Sequence, residues 1–293
     1  MVTDSARDSE PAVGGFSYPF RLLGERFGAA PPPDAILAQR PAVCRIGTGD
    51  LGAALRRGWK DFAANRTDVM FLCLLYPVIG LVLSRAAIGY EFLALLFPLA
   101  AGFALVGPVA GTGLYEMSRR IEQGEAVSWR TAFAVARTRG FGAIVLLGVL
   151  YAALFVIWLQ VALAIYEHFL GETPPATAGE FLHQVFGTEA GWQMIVVGNL
   201  VGLVFAIVAF TVGVVSFPML IDGRFGRSGG EMLSFAVSTS LAAVRANPLT
   251  MALWGLIVAA LLIVGSVPFF LGLVVVMPVL GHATWHLYRR LTG

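Results

Sequence analysis

The chain has 293 residues, 57% of them hydrophobic and only 13% charged, with a mean hydropathy of +0.78. Soluble globular domains rarely carry so few charges. A formal net charge of +2, from 20 basic and 18 acidic side chains, gives no basic field that would argue for nucleic acid.

Residues 1–43 are of another kind from the rest. They begin acidic and small, then bring Gly14-Gly15, Pro31-Pro32-Pro33 and Pro41, with no apolar core of signal-peptide length. This reads as a flexible cytoplasmic tail. Its one apolar cluster (Phe16, Tyr18, Phe20, Leu22, Leu23 and Phe27) is either a docking motif or an accident of composition. Residues 44–293 read as the membrane domain. Cys44 and Cys73 form no CxxC motif and read as reduced thiols.

Spanning about 30 Å of hydrocarbon takes roughly 20 apolar residues as a helix. Such spans fall near Val69–Ile88, Phe92–Tyr115, Phe141–Ile165, Trp192–Ile221, Leu249–Val264 and Val267–Trp285. Only Gly265, Ser266 and Pro268 mark the turn between the last two, yet one helix across both would far exceed the bilayer.

The spans come in pairs that resemble one another. GPVAGTGLYEMSRR (107–120) aligns with MPVLGHATWHLYRR (277–290), pairing Pro108 with Pro278, Gly111 with Gly281 and Arg119-Arg120 with Arg289-Arg290. Upstream, Leu51, Leu55, Trp59, Phe62 and Asn65 fall in register with Leu233, Val237, Leu241, Val244 and Asn247. Their apolar members follow helical spacing. A weaker third copy runs from Trp129, Phe133 and Ala136 to Pro218. The predicted fold is therefore an all-α integral membrane protein. It has six transmembrane helices as three repeated hairpins, over about 51–120, 125–225 and 231–290, each preceded by a short amphipathic interfacial helix.

Nineteen of the twenty Lys and Arg residues fall on one side of this topology, Arg85 being the exception, and the loop 166–191 carries acidic residues but no basic ones. Both termini are then cytoplasmic. In that loop Thr177-Ala178-Gly179-Glu180 matches a capping box ahead of Phe181, Leu182, Val185 and Phe186, which predicts a helix on the outer face.

Arg56, Arg57, Trp59 and Lys60 combine a basic face with an aromatic ring, a pattern suited to anionic lipid headgroups. GxxxG pairs at Gly107 and Gly111, and at Gly198 and Gly202, suit close helix packing within one chain or between two copies. His282 and His286 lie one turn apart, a spacing that can bind a metal. No HExxH motif accompanies them, and the matching positions of the first repeat are Thr112 and Glu116. The reading is of no metal and no cofactor. Catalytic motifs are absent, and the polar residues within spans are uncharged groups such as Gln160, Asn199 and Thr211.

RIGTGDLGAALRRGWKDF (45–62), FPLAAGFALVGPVAGTGLYEMSRRIEQGE (97–125) and SFPMLIDG (216–223) resemble the bacterial integral-membrane family called domain of unknown function 2189. The similarity covers roughly residues 43 to 290. It implies six spans in a bacterial inner membrane and no established activity. Some members carry the label of a putative cytochrome c oxidase subunit, but this chain has only four histidines, two of them in a loop. That leaves an accessory role beside such a complex, not a haem-copper core. The expected function is a non-enzymatic membrane-organising or complex-accessory protein, in contact with the bilayer and with a membrane-protein partner or a second copy. The alternative is a transporter or channel for a neutral or hydrophobic solute.

Overall fold

The computed structural model describes residues 42–66, 98–99, 102, 107–171, 175, 177–224, 229–268 and 270–293. The first predicted span, half of the second, and the tail through residue 41, with its aromatic cluster, lie outside them. The described residues are helical and contain no strand.

Helix α1 (Thr48–Ala64) starts where the Asp50 carboxylate accepts from the Gly47 N–H at 3.0 Å, closing the first turn. It buries Leu51, Ala54, Gly58 and Phe62, so the stripe is rotated from the one predicted: Leu55 is half-buried and Trp59 is turned outward. Helix α2 (Thr112–Glu122) continues a helical stretch at 107–110 and buries Gly113 through Ser118. A 3-10 helix (Trp129–Arg137) follows, its first turn held by the Ser128 N–H donating to Thr131 Oγ1.

Among the described residues, three helices are long and apolar enough to cross a membrane. They are α3 (Phe141–Leu170), α5 (Glu189–Gly213) continued by α6 (Ser216–Asp222), and α8 (Pro248–Ser266). Each leaves most of its apolar surface uncovered; Leu200, Val204, Leu256 and Ile263 are all at least 60% exposed. Water would not tolerate such continuous apolar faces, whereas lipid requires them. Tyr151 donates to the Ala209 carbonyl, and Trp158 packs on Phe205 and donates to the Pro98 carbonyl at 2.9 Å, which ties α3 to α5 and to residue 98.

Between α3 and α5 lies α4 (Ala178–Gly187), capped by Thr177 as the capping-box reading anticipated, with Glu180 N–H donating to Thr177 Oγ1 at 3.1 Å. Gly191 lets α5 approach it: a Cβ there would stand 2.2 Å from the Gln184 and Val185 carbonyl oxygens. Helix α7 (Gly229–Ala246) precedes α8, and after a turn α9 (Leu273–Thr292) returns, so the predicted break between the last two helices is present. Helix α9 is buried along most of its length and carries Pro278 inside it.

Pairing of the elements follows a pattern. The 3-10 helix packs on α2, α7 packs on α6, and α1 packs along α9, while α2, α6 and α9 touch one another in the middle. The last contact joins the start of the described chain to its end. Cys44 N–H donates to the Leu291 carbonyl at 2.9 Å. The Asn247 amide accepts from Ile46 N–H and donates to the Cys44 and Ala243 carbonyls, satisfying itself in a buried position.

Candidate membrane interface and polar cluster

The predicted lipid-facing residues of α1 lie together. Arg56, Arg57, Trp59 and Lys60 are all exposed, Trp59 by 54%, on the side opposite the stripe that is locked against α9. Gly58, between them in sequence, points the other way and sits on the α9 backbone. The 3-10 helix repeats the chemistry: the Arg130 guanidinium lies 5.4 Å over the Trp129 ring, and Phe133 stacks edge-on against Trp129 while 62% exposed. Two amphipathic elements thus present aromatic rings and cations outward from a rigid base, the side-chain set that favours the headgroup layer.

Behind α1 lies a closed polar cluster. His286 Nε2 is 2.8 Å from Asp61 Oδ2, which also accepts from Ser118 Oγ at 3.3 Å, and Ser118 Oγ is 2.6 Å from His282 Nδ1. With the serine proton directed to Asp61, the consistent assignment has His282 Nδ1–H donating to Ser118 Oγ and His286 Nε2–H donating to Asp61. The His282 Nε2 lone pair is then the atom left without a hydrogen-bond partner. That placement is cheaper than stranding an N–H. The cluster joins α1, α2 and α9 with Ser118 and His282 fully buried. It does not have the order of a nucleophilic triad, because the hydrogen-bonded series runs from His286 through Asp61 and Ser118 to His282, and no histidine bridges the serine and the carboxylate. Among the described residues, no group of three or more His, Cys, Asp and Glu side chains is arranged to hold a metal. His282 and His286 point into separate hydrogen bonds.

Toward the C-terminal end of α9 the polar groups become ion pairs. Glu116 is fully buried and accepts two hydrogen bonds from Arg119 at 2.7 and 2.8 Å and one from Arg120 at 2.7 Å. Burial alone would raise its pKa, but the two guanidinium groups outweigh this and hold the carboxyl below its usual value. Glu122 accepts from Trp285 Nε1 and Arg289 Nε, and Asp222 accepts from Tyr288 Oη at 2.6 Å and pairs with Arg224 and Arg289. Glu122 and Asp222 tie α2, α6 and α9 together at one end of the bundle, while Glu116 braces α2 from within. The i, i+3 and i, i+4 spacing of Glu116 with Arg119 and Arg120 is legible in the sequence; the roles of Asp61, Ser118 and Asp222, whose partners are distant in the chain, are not.

The glycine pairs divide. A Cβ at Gly202 would stand 3.1 Å from the Trp158 ring and one at Gly111 would meet Tyr115 of its own helix, while the space where a Cβ would stand at Gly107 and Gly198 is open. Other glycines, outside the GxxxG pairs, sit at close helix approaches: Gly58 on α9, Gly113 on Ala132, and Gly281 on Leu114. Gln160 and Asn199 stand exposed on their helices, Asn199 bonded to its own Ile195 carbonyl.

Among the described residues the regular structure is all helical, and three helices have the length and apolarity to cross a membrane, which places the chain in the class of integral membrane proteins. Residues 96–222 match the family model described as predicted integral membrane protein (DUF2189), so the resemblance read from the sequence is borne out over that stretch. Neither the curated proteins nor the solved structures contain a match to this chain.

Proposed function

We propose that this protein is a non-enzymatic organiser of the bacterial inner membrane that engages anionic lipid headgroups on its cytoplasmic side. The observation that carries the reading is the α1 face: Arg56, Arg57, Trp59 and Lys60 are exposed together while the opposite face is clamped on α9. A clamped helix presents its cations without further loss of conformational freedom, which favours binding.

The architecture that holds this face is three hairpins in a ring, six spans in all. Each entry element packs on the exit helix of the hairpin before it, and α1 closes the circle on α9. Support comes from the three pairings of the 3-10 helix with α2, α7 with α6 and α1 with α9. Both termini are on the cytoplasmic side, where the basic residues gather. An accessory role beside another membrane complex uses the same anchoring.

Each basic residue near an anionic surface contributes about 1 kcal/mol, so replacing Arg56, Arg57 and Lys60 together by Gln weakens retention of anionic lipid on the order of 100-fold. The measurement is competition between phosphatidylglycerol and phosphatidylcholine for the detergent-purified protein, read by native mass spectrometry. Equal retention by wild type and the triple variant, with helicity unchanged, removes the proposal.

A further inference from the structure

An apolar groove of about 510 Å³ runs between the start of α2, the 3-10 helix and α3. Val109, Val135, Phe141, Ile144, Gly148 and Phe155 line it, and Thr112 is its one polar side chain. Its volume lies in the range of about 300–1,000 Å³ typical of small-molecule sites. Val145 and Val149, 48% and 57% exposed, leave it open along the lipid-facing side of a membrane-length helix. From Phe141 to Phe155 the helix rises by about 21 Å. That exceeds the roughly 15 Å of hydrocarbon in one leaflet.

The charges at its end single out one occupant. Arg119, Arg120 and Arg289 are spent on Glu116, Glu122, Glu125 and Asp222. Arg137 and Arg139 are exposed and have no ion-pair partner among the described residues. They stand in the chain between the lining residues Val135 and Phe141, each two positions from one of them, so each Cα lies within about 7 Å of the groove wall. Uncompensated positive charge at the mouth of an apolar trough inside a bilayer matches a phospholipid with an anionic headgroup.

We propose that this groove is a discrete binding site for one anionic phospholipid, its acyl chain along α3 and its phosphate on Arg137 and Arg139. The site rests on the lipid-engaging reading above but is separate from the α1 face. Gly148 and Ala152 offer direct plugs: a Cβ at Gly148 meets only Val109 Cγ1, at an ordinary 3.7 Å, and Ala152 is exposed. Gly148→Leu and Ala152→Phe therefore fill the trough without touching the bundle core.

The test uses the full chain in nanodiscs containing a photoactivatable phosphatidylglycerol, with cross-linked peptides mapped by mass spectrometry. The expected result is labelling concentrated on residues 135–152, abolished by either plug and weakened roughly 30-fold by Arg137→Gln with Arg139→Gln. The α1 triple variant should leave this labelling in place. Labelling spread evenly over the exposed faces of α5 and α8, or unchanged by both plugs, overturns the site. If α1 variants alone abolish lipid retention, the headgroup reading survives and the groove does not.

Discussion

Glu116 shows how one carboxylate can set the acid stability of the basic end of the bundle. It is buried, and its three charge-assisted hydrogen bonds come from arginines on its own helix, so it is worth more than a surface pair. Its folded pKa lies below the unfolded value of about 4.3, so its stabilisation is complete above that pH and is lost as pH falls through the folded value. Replacing it by Gln should cost about 1.5–3 kcal/mol at neutral pH. The variant's melting temperature should also vary less than the wild type's from pH 5 down to pH 3. Thermal melts in detergent across that range check both statements; parallel curves would mean that Glu116 contributes no pH-dependent stability. Asp61 and His286 act differently, because their bond crosses from α1 to α9 and holds elements rather than a local turn.

At the scale of elements, α1 and α9 lie close because Gly58 has no side chain. A Cβ there would stand 2.6 Å from Ala283 N and 2.7 Å from the Val279 oxygen, and neither backbone atom can yield without moving a helix. Gly58→Ala should therefore destabilise by about 1–3 kcal/mol through overpacking. Gly49→Ala, in the first turn of the same helix with nothing within 4 Å, should be neutral or slightly stabilising. Chemical denaturation of the two variants side by side separates close contact from simple helix propensity. Loss of stability in both would point to the helix itself and not to its seat on α9.

For the whole molecule, backbone and amide hydrogen bonds at Cys44, Ile46, Asn247 and Leu291 fix the start of the described domain to its last two helices. If the proposed three hairpins enter and leave from one side, the inter-hairpin segments lie together on that side. Reporter fusions after Gly124 and Gly293 should accordingly read inside, and one after Gly171 should read outside. A fusion after Gly171 that reads inside would discard the orientation and with it the cytoplasmic placement of the α1 face.

Composition and periodicity by themselves determined that the chain is a helical membrane protein, where three of its long apolar helices run, where the last two helices separate, and that Thr177 caps a helix. Those features follow from local chemistry: hydrocarbon forces internal hydrogen bonding, and caps and turns are written in a few adjacent residues. Only the tertiary structure decided which way α1 faces. Helical spacing marks an apolar side but cannot weigh Trp59 against Ala54 and Gly58, and the partner helix needed small residues for close approach. It also decided that His282 and His286 serve separate hydrogen bonds and that Asp61 and Ser118 join them. Residues up to 225 positions apart meet there only because α1 returns to α9, a juxtaposition that no local pattern encodes.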